Sequence, residues 1–136
     1  LRMGAKQYVN VNNPAEIKEL GNSFRVIIST IPTNFDVEQY VNMLKVDGEL
    51  VLIGMPSHDQ LPMLNVEALR MRKKVMGTLI AGIPETQEML DYSVAHNIYP
   101  EVEMLEADAE AINRAYRNVV DGKVKFRYVI DMGTLR

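Results

Sequence analysis

Short apolar runs alternate along the chain with segments that carry apolar residues at helical spacing. The central run, at 50–53, is flanked by Gly48 and Gly54, which predicts a strand that is buried on both faces. Similar runs at 24–29 and 75–81 predict further strands, and helices are expected after Asn13 and Asp36 and from Pro84. Because strands and helices alternate with short connections, the pattern predicts an α/β fold with a parallel sheet.

Shorter patterns cover the rest of the chain. They predict a short strand at 8–11, a helix from Asn65 to about Met71, a brief strand at 102–105, a helix at 108–120 and a final strand at 123–130. The basic residues at 70–74 would then lie beside the negative dipole end of the helix that follows Asn65.

Composition and charge exclude several classes of function. A net charge of -3 and a pI near 5.4 give no electrostatic case for nucleic acid binding. With no cysteine, the chain has no disulfide, no cysteine nucleophile and no thiolate-bound zinc.

No apolar run approaches the roughly 18 residues of a membrane span, and no signal peptide is visible, so we expect a cytoplasmic protein. The chain begins at Leu1 rather than methionine, which suggests a fragment of a longer polypeptide.

The search for catalytic motifs is negative. The chain has no G-x-S-x-G elbow, no Walker A motif and no G-x-G-x-x-G loop. Its two histidines, His58 and His96, lack neighbours at metal-ligand spacing and are interpreted as solvated surface residues. We therefore predict no catalytic residue and no metal ligand.

The ends of the predicted strands are the candidate binding positions. Ser29 and Thr30, Gly54 and Met55, and Thr78 follow or interrupt apolar runs, where backbone groups can bind a planar amide or a ribose. The alternative is that these residues only turn the chain. Arg127 lies within the final strand pattern, where its guanidinium suits a phosphate; the alternative is an edge-strand arginine facing water.

Five segments occur in an order that resembles a known family. They are the strand at 24–30, Lys-Val-Asp-Gly-Glu-Leu-Val-Leu-Ile-Gly-Met-Pro at 45–56, Lys-Val-Met-Gly-Thr-Leu-Ile-Ala-Gly at 74–82, Glu-Thr-Gln-Glu-Met-Leu-Asp at 85–91 and Val-Lys-Phe-Arg-Tyr-Val-Ile-Asp at 124–131. Together they resemble the C-terminal part of zinc-dependent medium-chain alcohol dehydrogenases, in the cinnamyl-alcohol-dehydrogenase-like branch. The resemblance extends over essentially the whole chain.

The resemblance implies a domain organisation and a cofactor. Residues 1–82 resemble the second part of a Rossmann domain, a partial parallel sheet flanked by helices. Residues 83–136 resemble the segment that returns to the catalytic domain. The implied reaction is hydride transfer between NADP(H), with NAD as the alternative, and an alcohol or aldehyde. The zinc ligands and the glycine-rich loop would precede Leu1, so the isolated chain is not expected to be a competent enzyme.

The same resemblance implies roles for individual residues. Thr30 would lie beside the cofactor, and Ile53, Gly54 and Met55 would run along the nicotinamide and its ribose. Arg127 would reach the cofactor phosphates. The segment formed by Thr78, Leu79 and Ile80 would contact the carboxamide and approach the substrate pocket. Thr78 stands where the branch has serine, which keeps the hydroxyl, and Ala81 stands where glycine is usual, a change expected to affect packing.

The family also implies a homodimer, joined edge to edge through the strand near 75–81. Two alternatives stay open at this stage. One is a remnant without enzymatic activity that folds and dimerises. The other is part of a zinc-free relative resembling quinone reductases, although the segments at 85–91 and 126–131 match it less well.

Overall fold

A computed structural model describes residues 3–54, 59 and 63–135, in two compact units, Leu1–Ile80 and Ala81–Arg136. In the first unit the elements are α1 (Pro14–Glu19), β1 (Phe24–Ser29), α2 (Val37–Met43), β2 (Leu44–Leu52), a 3-10 turn (Val66–Leu69) and β3 (Lys74–Gly77). In the second unit they are α3 (Ile83–Ala95), β4 (Glu103–Glu106), α4 (Ala109–Val120), β5 (Tyr128–Asp131) and a 3-10 turn (Met132–Thr134). The predicted α/β class is confirmed.

The first unit is built on a three-stranded parallel sheet in the order β1-β2-β3. Its core lies where α2 packs on the middle strand: Val37, Val41, Leu44 and Leu50 form the buried cluster. Val41, Leu44 and Leu50 have no solvent exposure. The predicted central strand is therefore the centre of the described sheet, with its buried side chains against α2.

The middle strand begins earlier than the sequence pattern predicts. Leu44 continues the apolar spacing of the helix predicted after Asp36, but it pairs with Phe24 as the first residue of β2. The next pair joins Val26 to Glu49, so the intervening residues of β2 bulge outward. Asp47 lies in this bulge with φ of 62°. The bulge is where the chain passes from helix to regular strand.

The basic residues at 70–74 do not end a helix as predicted, because only the short 3-10 turn Val66–Leu69 forms there. Their side chains instead bind acceptors in the same unit. Arg72 donates two hydrogen bonds to the Asp47 carboxylate, at 2.6 and 2.8 Å. The other contacts are Lys73 Nζ to the Val41 carbonyl (2.9 Å), Lys74 Nζ to Glu49 (2.7 Å) and Arg70 to Glu67 (2.8 Å).

We expect the Asp47–Arg72 pair to make the first unit acid-sensitive. The hydrogen bonds from Arg72 lower the pKa of Asp47 below its usual value. A depressed folded-state pKa contributes stability that is present above the unfolded pKa, about 3.9, and lost as pH falls through the folded value. Urea unfolding of Asp47→Asn and the wild type, between about pH 5 and pH 2, checks this. Asp47→Asn should lose less stability than the wild type over that range. The difference between the two proteins should shrink in high salt because the ion pair is exposed. Equal acid sensitivity of the two proteins would contradict a stabilising role for the pair.

The second unit pairs β4 with β5 in parallel and packs α4 against β4. Ala111 and Ala115 are its buried apolar residues among those described. On α3, the apolar residues Leu90 and Val94 are about half exposed or more, at 49% and 63%, and Ile98, which continues their spacing, follows the end of the helix and is 55% exposed. The final strand is shorter than predicted, since it begins at Tyr128 and leaves Arg127 just outside it.

Two further expectations concern a strand near the start of the chain and membrane-spanning helices. The predicted strand at 8–11 does not form. Among the residues with described structure, no helix has the length and apolar character needed to cross a membrane.

Candidate functional site

The three strands of the first sheet end side by side. Ser29, the last residue of β1, pairs with Leu52, and Leu52 pairs with Gly77 at the end of β3. All three strands are parallel, so the residues that follow them, Thr30, Ile53 and Thr78, leave the sheet at one edge. The structure therefore brings together three of the positions predicted from sequence. We call Thr30, Ile53, Gly54 and Thr78 the strand-end residues.

Three backbone N–H groups at this edge are engaged within the protein. The Ser29 carbonyl accepts hydrogen bonds from the N–H groups of Ile53 (2.8 Å) and Gly54 (3.2 Å). The N–H of Thr78 donates to the carbonyl of Leu52 (3.1 Å). These three groups therefore continue the sheet by one step instead of pointing donors at a ligand. For Ile53 and Thr78, the backbone groups that remain for a ligand are therefore the carbonyl oxygens.

The acceptors at the same edge are open. Within the described part of the chain, the carbonyl oxygens of Thr30, Ile53 and Thr78 accept no hydrogen bond. The Thr30 side chain is exposed, and its hydroxyl has no described partner, whereas the Thr78 hydroxyl donates weakly to the Leu79 carbonyl at 3.3 Å. The edge thus presents hydrogen-bond acceptors and hydroxyl groups, which suit a ligand that carries N–H donors.

Apolar side chains lie next to these acceptors. Ile53 is 47% exposed, and the segment after Thr78 exposes Leu79 and Ile80 almost fully, at 75% and 98%. Ile80 is the last residue of the first unit. Met55, the remaining predicted position here, lies outside the described residues. An apolar surface beside a few polar acceptors is typical of sites for flat organic ligands.

Gly54 is held by a close backbone contact. A Cβ atom at this position would overlap the carbonyl oxygen of Ile31 and would lie 2.8 Å from the carbonyl carbon of Thr30. The glycine is therefore required by the chain itself. The resemblance implied that Gly54 runs along the nicotinamide, and that role stays a prediction.

Ser29, which the sequence offered with Thr30 as a candidate binding position, is a buried structural part of this edge. Its side chain is buried, with 6% exposure, and its Oγ lies 3.5 Å from the N–H of Ile31. The signal was present in the sequence, because a polar residue ends an otherwise apolar run just before the candidate position Thr30.

Arg127 belongs to the second unit. Its backbone carbonyl accepts a hydrogen bond from the N–H of Glu103 (3.0 Å), which aligns it with the start of β4. Its side chain is exposed and has no ion pair with any described residue. It borders a groove of about 400 Å³ whose apolar lining includes Leu105, Ile112, Val119, Phe126 and Ile130. A guanidinium without an internal partner is open to an external anion.

The strand-end residues include no histidine and no carboxylate, so they offer no side chain for acid–base catalysis or metal binding. His96 ends α3: its Nδ1 lies 2.8 Å from the Tyr92 carbonyl, and its ring stacks on Tyr92 at 3.9 Å. His58 lies outside the described residues. Across 3–54, 59 and 63–135, no three His, Asp or Glu side chains are grouped so that they could hold a metal.

Comparisons with known proteins identify relatives of this chain. The chain is 42% identical to an NADP-dependent alcohol dehydrogenase C from Mycobacterium bovis and 38% identical to the aldehyde reductase YahK from Escherichia coli. These matches cover 99% and 98% of this chain, respectively, and the chain spans 38% of the length of each relative. The crystal structure of CAD from Helicobacter pylori complexed with NADP(H) is 44% identical and superposes with a TM-score of 0.72, covering 86% of this chain and 34% of that one.

A family model also matches most of the chain. The model for zinc-binding dehydrogenases matches residues 1–95, which include the whole first unit and α3. This confirms the family that the order of sequence segments had indicated. The chain belongs to the zinc-binding dehydrogenase family.

Proposed function

We propose that this chain supplies the nicotinamide-side wall of the cofactor site in an NADP(H)-dependent, zinc-type alcohol dehydrogenase or aldehyde reductase. The observation that carries the proposal is the row of open acceptors at the ends of three adjacent parallel strands, in a chain of this family. In this proposal residues 1–82 are the second part of the Rossmann domain, and residues 83–136 are the segment that returns to the catalytic domain.

The strand-end residues fit a nicotinamide. Its carboxamide carries an NH₂ group with two donors, which complements the open carbonyl oxygens of Thr30, Ile53 and Thr78. Its flat ring complements the exposed apolar side chains of Ile53 and Ile80. When bound, the cofactor supplies the hydride, and the role of this chain is to orient the ring and exclude water from one of its faces.

Arg127 is proposed to bind the cofactor phosphates. The support is its exposed guanidinium, which has no ion pair among the residues described. Planar guanidinium groups bind phosphate oxygens through paired hydrogen bonds. We propose NADP over NAD because the Mycobacterium bovis relative is named as an NADP-dependent enzyme. We propose zinc because the family is zinc-binding, with its ligands in the part of the relatives that this chain does not span.

Further parts of the proposal concern assembly and location. β3 is an edge strand of the described sheet, and an unpaired strand edge favours association. We therefore propose a homodimer joined through β3, in a cytoplasmic enzyme whose substrate is a small alcohol or aldehyde.

A chimera tests the function directly. This chain would replace the matching segment of the Mycobacterium bovis relative, and the purified protein would be assayed for aldehyde-dependent oxidation of NADPH. The proposal expects turnover, cofactor saturation and sedimentation as a dimer. A chimera that folds and retains zinc but neither binds NADPH nor oxidises it would overturn the proposal and favour a remnant without enzymatic activity. The unmodified relative, prepared in parallel, is the control for the assay.

A further inference from the structure

We propose that Gly54 is a positioning residue: it lets the segment after β2 lie directly on the backbone of Ile31, next to Thr30, and so holds Thr30 and Ile53 as one wall. This inference rests on the proposed function, in which that wall faces the nicotinamide. It assigns Gly54 an action through its neighbours instead of a contact with the cofactor.

The first support is the reason that glycine is needed here. Gly54 is not among the glycines with positive φ in the described chain, which are Gly4 and Gly122, so its backbone conformation is open to any residue. Space is the constraint instead. An added Cβ would overlap the Ile31 carbonyl oxygen and would lie 2.8 Å from the Thr30 carbonyl carbon, whereas ordinary contacts begin at 3.4 Å. Both obstructing atoms belong to the backbone, which yields less easily than a side chain.

The second support is that the contact joins two strands. The obstructing peptide follows β1, and Gly54 follows β2. The Ser29 carbonyl accepts from both Ile53 and Gly54, which pulls the two segments together from the sheet side. Because the N–H of Gly54 is engaged in this bond, it does not serve as the donor to a ligand. Its remaining contribution is the spacing between the open acceptors of Thr30 and Ile53.

An added methyl group must therefore separate the two segments. Strand pairing further back is anchored in the core by Leu50, so the displacement falls on the strand-end residues. Binding and catalysis are sensitive to displacements of this size in groups that orient a reactive ring.

The first experiment uses the 136-residue chain without cofactor. Amide resonances in ¹H–¹⁵N spectra would be compared between the wild type, Gly54→Ala and Gly77→Ala. Gly77 is the matched control because it also ends a strand, and a Cβ there meets nothing within 4 Å. We expect Gly54→Ala to shift the resonances of Thr30, Ile31 and Ile53 together, while Gly77→Ala leaves Thr30 and Ile31 unchanged. Unshifted Thr30 and Ile31 resonances in folded Gly54→Ala would overturn the proposal.

The second experiment measures NADPH affinity in the chimera with the same two substitutions. Gly54→Ala should weaken NADPH binding about tenfold, which corresponds to about 1.4 kcal/mol, and Gly77→Ala should leave the affinity near that of the parent. If the parent chimera binds no NADPH, the proposed function fails. If the parent and Gly54→Ala bind NADPH equally, the positioning role alone fails.

A second variant covers the case in which Gly54→Ala does not fold. Ile31→Gly keeps the obstructing carbonyl group and adds no atom, but it makes the backbone at residue 31 more flexible. It should shift the amide resonances of Ile53 and Gly54, which follow the other strand. Unchanged resonances at both positions would show that the two segments are independent, and the proposal would be wrong.

Discussion

Replacing Leu50 with alanine is expected to lower the free energy of unfolding of the first unit by about 2–5 kcal/mol. Leu50 has no solvent exposure and lies in β2, the middle strand of the sheet, between its pairs with Ile27 and Val75. The substitution removes apolar contacts and leaves a cavity that the two neighbouring strands and α2 cannot easily close. Because small domains have only about 5–15 kcal/mol of stability, a loss of this size removes much of what the unit has.

Urea denaturation followed by circular dichroism measures this loss. Val46→Ala is the control, because Val46 lies in the same strand and is 50% exposed. The control should lose no more than about 1 kcal/mol, the span of strand propensities. Equal losses in the two variants would contradict a core centred on Leu50.

The second large effect is expected at Arg127. In the chimera, Arg127→Ala should weaken NADPH binding by about 1.5–3 kcal/mol, the range for a hydrogen bond to a charged group, or roughly 13- to 160-fold in Kd. The physical reason is that the exposed guanidinium has no competing ion pair among the described residues, so the phosphate would be its principal partner.

Two variants separate this role from a general effect of charge. Arg127→Lys keeps the charge but loses the paired donors, so it should bind NADPH with intermediate affinity. Arg117→Ala removes another exposed cation from the same unit and should leave the affinity unchanged. An unaltered Kd in Arg127→Ala, measured by fluorescence titration, would exclude the phosphate role.

Local signals in the sequence predicted the starts of several helices correctly. Asn13 accepts a hydrogen bond from the N–H of Ala15, Asp36 from that of Gln39, and Asp108 from that of Ala111. Such caps depend on residues only two or three positions apart. Glu16, three residues after Asn13, accepts a hydrogen bond from the N–H of Asn10 rather than from that of Asn13, as it would in a capping box.

Segments whose structure depends on distant partners were predicted less well. The apolar residues at 8–11 have strand character, but no described strand pairs with them. Leu44 fits the apolar spacing of the preceding helix, yet pairing with Phe24 makes it the start of a strand. Arg72 and Lys74 fit a helix end, yet each binds a carboxylate 25 positions away, on Asp47 and Glu49.

The sequence by itself determined the class of fold, the succession of the main strands along the chain and the end of β1 at Ser29, because apolar periodicity and turn residues act over a few positions. The strand predicted at 75–81 ends earlier, at Gly77. Tertiary structure decided which backbone and side-chain groups are available at those strand ends. Sheet register brought Thr30, Ile53 and Thr78 to one edge and engaged the N–H groups of Ile53 and Thr78. It also placed a backbone carbonyl where the side chain of residue 54 would lie. Hydrogen-bond partners and close contacts between separate strands depend on three-dimensional register, which local pattern does not encode.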